Sequence, residues 1–128
     1  MILRLLDSDI LIDFFKKKDY ATTLVNTFVK EGTVATSALC VAELRMGWND
    51  EEAAFYLPRF YKLFRIEPVT KEIAERAGAL RRNSRRAGRT LPTIDTLIAA
   101  TALHLDATLV TNNVKDFPIP TLKLAPPA

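Results

Sequence analysis

Short apolar segments alternate with helical stretches along this chain, and this alternation restricts its fold more than any other feature. The apolar segments are rich in Leu, Val, Ile and Thr, which suits buried strands, and they lie at 2–6, 33–36, 63–68, 108–111 and 122–124. The stretches between them space apolar residues at helical intervals, and they lie at 10–18, 20–30, 38–46, 50–62, 70–87 and 91–104. Because such alternation forms βαβ units, we predict an α/β fold in which helices flank a central, mainly parallel sheet of four to five short strands.

The size and composition of the chain indicate one globular domain over residues 1–128. With 48% apolar residues the chain can bury a core, which excludes a disordered protein. The single Cys40 excludes a disulfide framework and a cysteine-rich zinc site. No apolar run approaches the roughly 20 residues of a membrane helix, and acids at positions 7 and 9 interrupt the segment where a signal peptide would be apolar. We therefore expect a cytoplasmic protein that does not engage a membrane.

The net charge of +3 conceals an uneven distribution of charge. Residues 1–58 contain 6 basic and 9 acidic residues, whereas residues 59–89 contain 10 basic and 3 acidic residues. Residues 90–128 contain 2 basic and 3 acidic residues. The basic middle region is consistent with a polyanionic partner and equally with an arginine-rich helix face that is simply solvated.

Four acidic residues follow predicted strands or lie near the starts of predicted helices, namely Asp7, Glu43, Asp95 and Asp116. Each has an ordinary explanation alone: a cap or turn for the aspartates, and a salt bridge to an arginine for Glu43. In a parallel sheet, however, these positions can converge on one edge. Two carboxylates ~4 Å apart repel by about 4 kcal/mol at an effective dielectric near 20, so a cluster requires a cation, a shared proton or both. Oxygen donors alone select hard ions such as Mg²⁺ or Mn²⁺.

Glu43 is the most unusual of the four, because helical spacing places it on one face with Leu39, Ala42 and Met46. A carboxylate within an apolar stripe is costly unless a charged partner or a metal compensates it. We expect one of these two partners at Glu43.

Four segments in order, LLDSDILID, TSALCVAEL, GRTLPTIDTLIAATAL and LVTNNVKDF, resemble the motifs of the PIN-domain ribonucleases. The resemblance extends over nearly the whole chain with similar spacing, and it is greatest to the VapC-type toxins of toxin–antitoxin pairs. It implies a single PIN-like domain and a metal-dependent endoribonuclease that hydrolyses RNA phosphodiester bonds. The metal would lower the pKa of the attacking water and bind the scissile phosphate.

The resemblance also implies the residues of the site. Asp7, Glu43, Asp95 and Asp116 would be the catalytic, metal-binding residues, with Mg²⁺ or Mn²⁺ as cofactor. The polar residues that would assist them are Ser8, Asp9, Ser37, Thr111 and Asn113. Asp9 departs from the family, which more often has Asn there, so it is either an assisting residue or a further ligand. The family implies a homodimer, a cognate antitoxin that docks near the active site, and assembly of the two into a larger complex.

An arginine series would then serve the RNA substrate. Its members lie along the longest predicted helix and its exit, and they are Arg81, Arg82, Arg85, Arg86 and Arg89. They would hold RNA phosphates and offset the repulsion between substrate and acidic pocket. The only histidine, His104, ends a predicted helix and is interpreted as structural.

Three other interpretations of the acidic residues remain at this point. Asp7 and Asp9 resemble the paired aspartates of a haloacid-dehalogenase-like phosphatase, although the lysine and later acidic motif of that class have no good match. A receiver-like phospho-acceptor domain would need an aspartate at the end of the third strand, where the chain has Glu67 and Pro68. A non-catalytic PIN-like domain that only binds a partner would not require the acids, yet all four are present.

Overall fold

Five short parallel strands form the centre of the computed structural model, which describes residues 2–127. The strands are β1 (Arg4–Leu6), β2 (Val34–Ser37), β3 (Arg65–Glu67), β4 (Thr108–Val110) and β5 (Leu124–Ala125). The helices over the same residues are α1 (Ser8–Phe15), α2 (Asp19–Glu31), α3 (Ala38–Gly47), α4 (Asp50–Leu63), α5 (Lys71–Arg86) and α6 (Thr93–His104). A single 3₁₀ turn (Val114–Asp116) follows β4. The predicted α/β architecture is therefore confirmed.

The strand order is β3-β2-β1-β4-β5, and each neighbouring pair is parallel. The sheet thus grows in one direction from β1 to β3 and in the other direction from β1 to β5. The order reverses between β1 and β4, where Leu6 pairs with Val110. At such a reversal the connections leave on opposite sides of the sheet and a crevice opens beyond the carboxyl ends of the strands.

Helices cover both faces of the sheet. Consecutive strand residues point to opposite faces, and both Leu5 and Leu6 are fully buried, as are Leu109 and Val110 to within 2%. On one side α5 packs closely against α6, with the small side chains of Ala77 and Ala100 in their contact. None of the helices within residues 2–127 is long and apolar enough to cross a membrane.

Local signals in the sequence explain where the helices begin and end. Ser37 caps α3, because its Oγ accepts a hydrogen bond from the Leu39 backbone N–H at 3.1 Å. Gly32 ends α2 with a φ of 66°, and Gly88 follows α5 with a φ of 85°, which are left-handed conformations that favour glycine. These ends agree with the predicted ones.

The predicted apolar face of α3 is wrong in part. Met46 is 85% exposed, and the buried face carries Cys40 and Leu44 instead. Glu43 therefore lies at the border of the core and not within an apolar stripe.

Two further details differ from the sequence predictions. The helical spacing of Ile94, Leu97 and Ile98 predicts that Ile94 lies in the core. Ile94 is instead 42% exposed, because α6 turns its small residues Ala99 and Ala100 towards its neighbours. The last strand begins at Leu124, two residues later than expected.

Candidate active site

The reversal between β1 and β4 brings together two polar residues that are 104 positions apart in the sequence. Asp7 directly follows β1, and its Oδ2 accepts a hydrogen bond of 2.9 Å from the hydroxyl of Thr111, which directly follows β4. The other oxygen, Oδ1, accepts from the Ser8 backbone N–H at 2.8 Å, so Asp7 also caps α1. Both acceptor atoms are thus oriented by short bonds. The side chain lies buried at the edge of the crevice.

Asp9 is held by the turn that follows β4. Its Oδ2 accepts from the Asn112 backbone N–H at 2.9 Å and from the Asn113 Nδ2 at 3.3 Å, and the Thr111 hydroxyl lies 3.5 Å away. Its Oδ1 accepts from the Ile10 backbone N–H at 2.8 Å. Because these donors occupy the carboxylate, the geometry favours an assisting role for Asp9 over that of a ligand.

Tyr20 extends this network and has no counterpart in the sequence predictions. Its hydroxyl donates to Asp13 and accepts a bond of 3.0 Å from the Asn112 Nδ2. The phenol therefore joins α1, α2 and the turn after β4. A contact between residues 92 positions apart leaves no local signal, so the pattern of residues around Tyr20 could not reveal it.

The charge of Asp95 acts on Asp7, and the charge of Asp116 acts on Asp95. Burial raises the pKa of Asp7 from 3.8 to about 6, and the charges of Asp9 and Asp95 add to this, while the bonds from Thr111 and Ser8 oppose it. Asp95, in the first turn of α6, has a raised pKa because it is partly buried and faces the charge of Asp116. Asp116 itself is exposed in the 3₁₀ turn after β4. Three of the four predicted acids are thus linked through Asp95.

Glu43 approaches the same region from α3. Burial raises the pKa of the Cys40 thiol to about 12, and the charges of both Asp7 and Glu43 contribute to this shift. The Oε1 atom of Glu43 is buried and has no hydrogen-bond partner, and no cation within residues 2–127 forms an ion pair with it. The salt bridge considered for Glu43 is therefore absent from this part of the chain.

The donor set fits a hard divalent cation, although the residues do not form a closed cage. Among residues 2–127, no three acidic, histidine or cysteine side chains are grouped tightly enough to hold an ion by themselves. The unpartnered Glu43 oxygen is nevertheless free to bind an ion, and the raised pKa values of Asp7 and Asp95 arise first from burial and then from the charges of neighbouring acids. Only oxygen donors are available, as Mg²⁺ and Mn²⁺ prefer.

Ser37 and its neighbour Thr36 make hydrogen bonds that hold the end of β2 in place. Ser37 is fully buried at the end of β2, where it caps α3. Its neighbour Thr36 donates its hydroxyl to the Leu6 carbonyl at 2.9 Å, which ties the ends of β2 and β1 together. His104 is exposed at the last residue of α6.

The predicted arginine series divides into three environments. Arg81 is half-buried, and its Nε donates to the Leu91 carbonyl at 3.0 Å. Arg89 lines a cleft of about 460 Å³ that also contains Asp95 and Asp116. The other three line a separate cavity of about 580 Å³, and they are Arg82, Arg85 and Arg86.

Residues 4–118 match the family model of the PIN domain. The chain belongs to the PIN domain family. Ribonuclease VapC19 of Mycobacterium tuberculosis is 35% identical over 118 residues, which cover 91% of this chain and 94% of that protein. The resemblance inferred from the four motifs is thus confirmed. The family match also favours this assignment over a dehalogenase-like phosphatase or a receiver-like domain.

Solved structures share the fold over nearly their whole length. VapBC2 from Rickettsia felis, crystallised with a DNA fragment from its promoter, superposes with a TM-score of 0.86 at 29% identity and 98% coverage of both chains. A toxin–antitoxin complex from Klebsiella pneumoniae superposes with a TM-score of 0.77 at 29% identity, again with 98% coverage of both chains. PIN-domain ribonucleases are in general metal-dependent, which agrees with the donor set described above.

Proposed function

We propose that this chain is a metal-dependent endoribonuclease and the toxin of a toxin–antitoxin pair. One observation of the structure carries the proposal: Asp95 and Asp116 line one cleft, and Asp7, on which the charge of Asp95 acts, bonds to Thr111 where the strand order reverses. The expectation of an RNA-cleaving enzyme is also supported by the relative named Ribonuclease VapC19.

The four acids are proposed as ligands of Mg²⁺ or Mn²⁺. When bound, such an ion would lower the pKa of a water molecule and offset the charge of the scissile phosphate. Thr111 and the Ser8 N–H orient the two oxygens of Asp7, and Asp9 fixes the turn that leads to Asp116. The free Oε1 of Glu43 is available either as a further ligand or as the acceptor that orients the attacking water.

Arg82, Arg85 and Arg86 are proposed to bind the RNA backbone at a second place, separate from the cleft that contains Asp95 and Asp116. Their side chains are exposed and line one cavity at the end of α5. Guanidinium groups bind phosphate through paired N–H donors, so a cluster of three suits a polyanionic strand.

A cognate antitoxin and a second copy of the chain are the proposed protein partners. The Klebsiella structure is described as a toxin–antitoxin complex, which supports the first. Exposed Phe55 and Tyr61 on α4, each 51% exposed, offer apolar surface for either partner. We also propose that the protein acts in the cytoplasm, and that toxin and antitoxin join in a larger assembly.

Cleavage of RNA by acid-to-amide variants tests the proposal. Asp7→Asn and Asp95→Asn should each lower the rate of Mg²⁺-dependent cleavage at least ~100-fold, because each removes a metal-binding charge. Asp106→Asn is the matched control, since Asp106 is exposed and directly precedes β4. It therefore lies at the amino ends of the strands, whereas the acids of the site lie beyond the carboxyl ends. Labelled RNA is incubated with each protein in Mg²⁺ or EDTA, and its fragments are separated by size.

The pattern of outcomes is decisive. Loss of cleavage in both site variants, with full activity in Asp106→Asn, supports the assignment. Cleavage by Asp7→Asn at the parent rate would show that the acids do not form the active site. No cleavage by the parent protein with either metal would instead favour a non-catalytic domain.

A further inference from the structure

Two basic side chains enter the cleft that contains Asp95 and Asp116. One is Arg89, in the segment between α5 and α6, and the other is Lys115, which directly precedes Asp116 in the 3₁₀ turn. The cleft has a volume of about 460 Å³ and is otherwise lined mainly by the segment from Thr90 to Pro92. Residues from two distant parts of the chain therefore place positive charge beside two of the proposed metal ligands.

The two basic side chains are free to bind an anion. Within residues 2–127, neither Arg89 nor Lys115 forms an ion pair, although both are exposed and carboxylates line the same cleft. By contrast, Arg45 is paired with Asp50 at 2.6 Å and Lys123 with Asp106 at 2.8 Å. The cleft thus retains two unneutralised cations where the acids would otherwise repel any phosphate.

The geometry points to a phosphate subsite formed by Arg89 and Lys115, which holds a backbone phosphate of the RNA strand next to the phosphate that is cleaved. This inference rests on the proposed function, because it assigns part of the same substrate. Arg89 can bind two phosphate oxygens with its planar fork, and Lys115 supplies a compact charge from the other side. Lys115 has no place in the arginine series recognised in the sequence.

The subsite differs from the cavity of Arg82, Arg85 and Arg86 in what it should affect. That cavity contains no acid, so its arginines should contribute to affinity alone. The Arg89–Lys115 subsite adjoins the proposed ligands, so its loss should weaken binding and also slow cleavage of bound RNA, because the scissile phosphate would be held less firmly.

Binding and cleavage are measured with a double variant, Arg89→Ala/Lys115→Ala. Binding uses a labelled single-stranded RNA pool of mixed sequence, with Asp7→Asn present in every protein so that the probe stays intact. Loss of two phosphate contacts should reduce the slope of log Kobs against log salt by about 1.4 and weaken binding about tenfold or more at low salt. Cleavage is measured without Asp7→Asn, and there the double variant should cleave RNA more slowly than the parent at saturating RNA.

The control removes the same charge elsewhere. Lys30→Ala/Lys62→Ala takes two exposed lysines from the ends of α2 and α4, which lead into the starts of the strands. The charge-preserving exchange Arg89→Lys/Lys115→Arg should retain most of the salt slope.

Each outcome decides the matter. Equal salt slopes and equal cleavage in the Arg89/Lys115 and Lys30/Lys62 variants would overturn the subsite, provided that the parent cleaves RNA. If the double variant loses affinity only for a single-stranded DNA pool of mixed sequence, while its RNA binding and cleavage are unchanged, the assignment to RNA is overturned. If 1 mM inorganic phosphate weakens RNA binding by the parent and by the exchange variant, and has a smaller effect on the double variant, the subsite is supported. A parent protein that cleaves no RNA refutes the proposed function instead.

Discussion

At the scale of single residues, Asp7 shows how the site opposes the stability of the protein. Its pKa rises from 3.8 to about 6 on folding, mainly through burial and the charge of Asp9. Between these two pH values the folded protein binds more protons at Asp7 than the unfolded chain does. The free energy of unfolding of the metal-free protein should therefore fall as the pH rises through this range.

Asp7→Asn should remove this penalty. We expect the free energy of unfolding of the metal-free variant to be higher than that of the parent by about 1 to 3 kcal/mol at pH 7.5. The upper value corresponds to a pKa shift of about two units at Asp7. The difference should vanish near pH 3.5. Urea unfolding in EDTA at several pH values measures it, with Asp106→Asn as the control that should show no such gain. A variant less stable than the parent at pH 7.5 would mean that the Thr111 bond outweighs the burial of charge.

Asp9 makes a second prediction, which separates positioning from ligation. Asn at this position keeps an acceptor for the Asn112 N–H, whereas Ala does not. We expect Asp9→Asn to retain cleavage within a few-fold and Asp9→Ala to require a higher Mg²⁺ concentration for half-maximal activity, because the turn bearing Asp116 is no longer held. Titration of activity and of Mn²⁺ binding with both variants tests this. If Asp9→Asn loses metal binding as fully as Asp7→Asn does, Asp9 is a ligand.

At the scale of elements, one side chain joins α5 to the start of α6. The Arg81 Nε donates to the Leu91 carbonyl, just before the helix that carries Asp95. Lysine in its place keeps the charge but lacks the guanidinium fork. Arg81→Lys should therefore lower kcat several-fold and leave the salt slope of RNA binding unchanged. Arg82→Lys is the matched control, expected to change neither. A salt slope lowered by Arg81→Ala, which removes the charge, would assign Arg81 to the RNA instead.

The same scale shows how much the sequence could reveal. Strands and helices are predicted to within a few residues, because burial on both faces and the caps at Ser37 and Gly32 are local properties. The sites of Asp7 and Thr111 follow from the rule that parallel strands end at one edge. Which face α6 turns to solvent depends on how closely Ala100 approaches Ala77 of α5, and this orientation exposes Ile94. The spacing of apolar residues along the sequence does not contain that information. The bond from Asn112 to Tyr20 is beyond sequence patterns for the same reason.

At the scale of the whole molecule, the small net charge of +3 conceals a group of acids and a larger group of basic residues. The acids gather beyond the ends of β1 and β4, while the arginines lie at the end of α5 and in the cleft beside Asp95. A polyanion can therefore bind the basic surface with one phosphate directed towards the acids. Such a surface is unfavourable to a small anionic substrate alone, because the acids repel any phosphate that lacks contacts elsewhere.

Divalent cations should couple to the stability of the entire fold through the same acids. Mn²⁺ at about 100 times its Kd stabilises the state that binds it by about 2.7 kcal/mol. We expect this increase in the free energy of unfolding at pH 7.5 and a smaller one at pH 5, because Asp7, with its pKa of about 6, must lose its proton to bind the ion. Asp7→Asn and Asp95→Asn should lose most of the increase, and Asp106→Asn should keep it. Urea unfolding with Mn²⁺ or EDTA makes the measurement. An equal increase in all four proteins would place the ion elsewhere. A selective increase would mean that the ion is bound by Asp7 and Asp95, whose pKa values are raised in the metal-free fold.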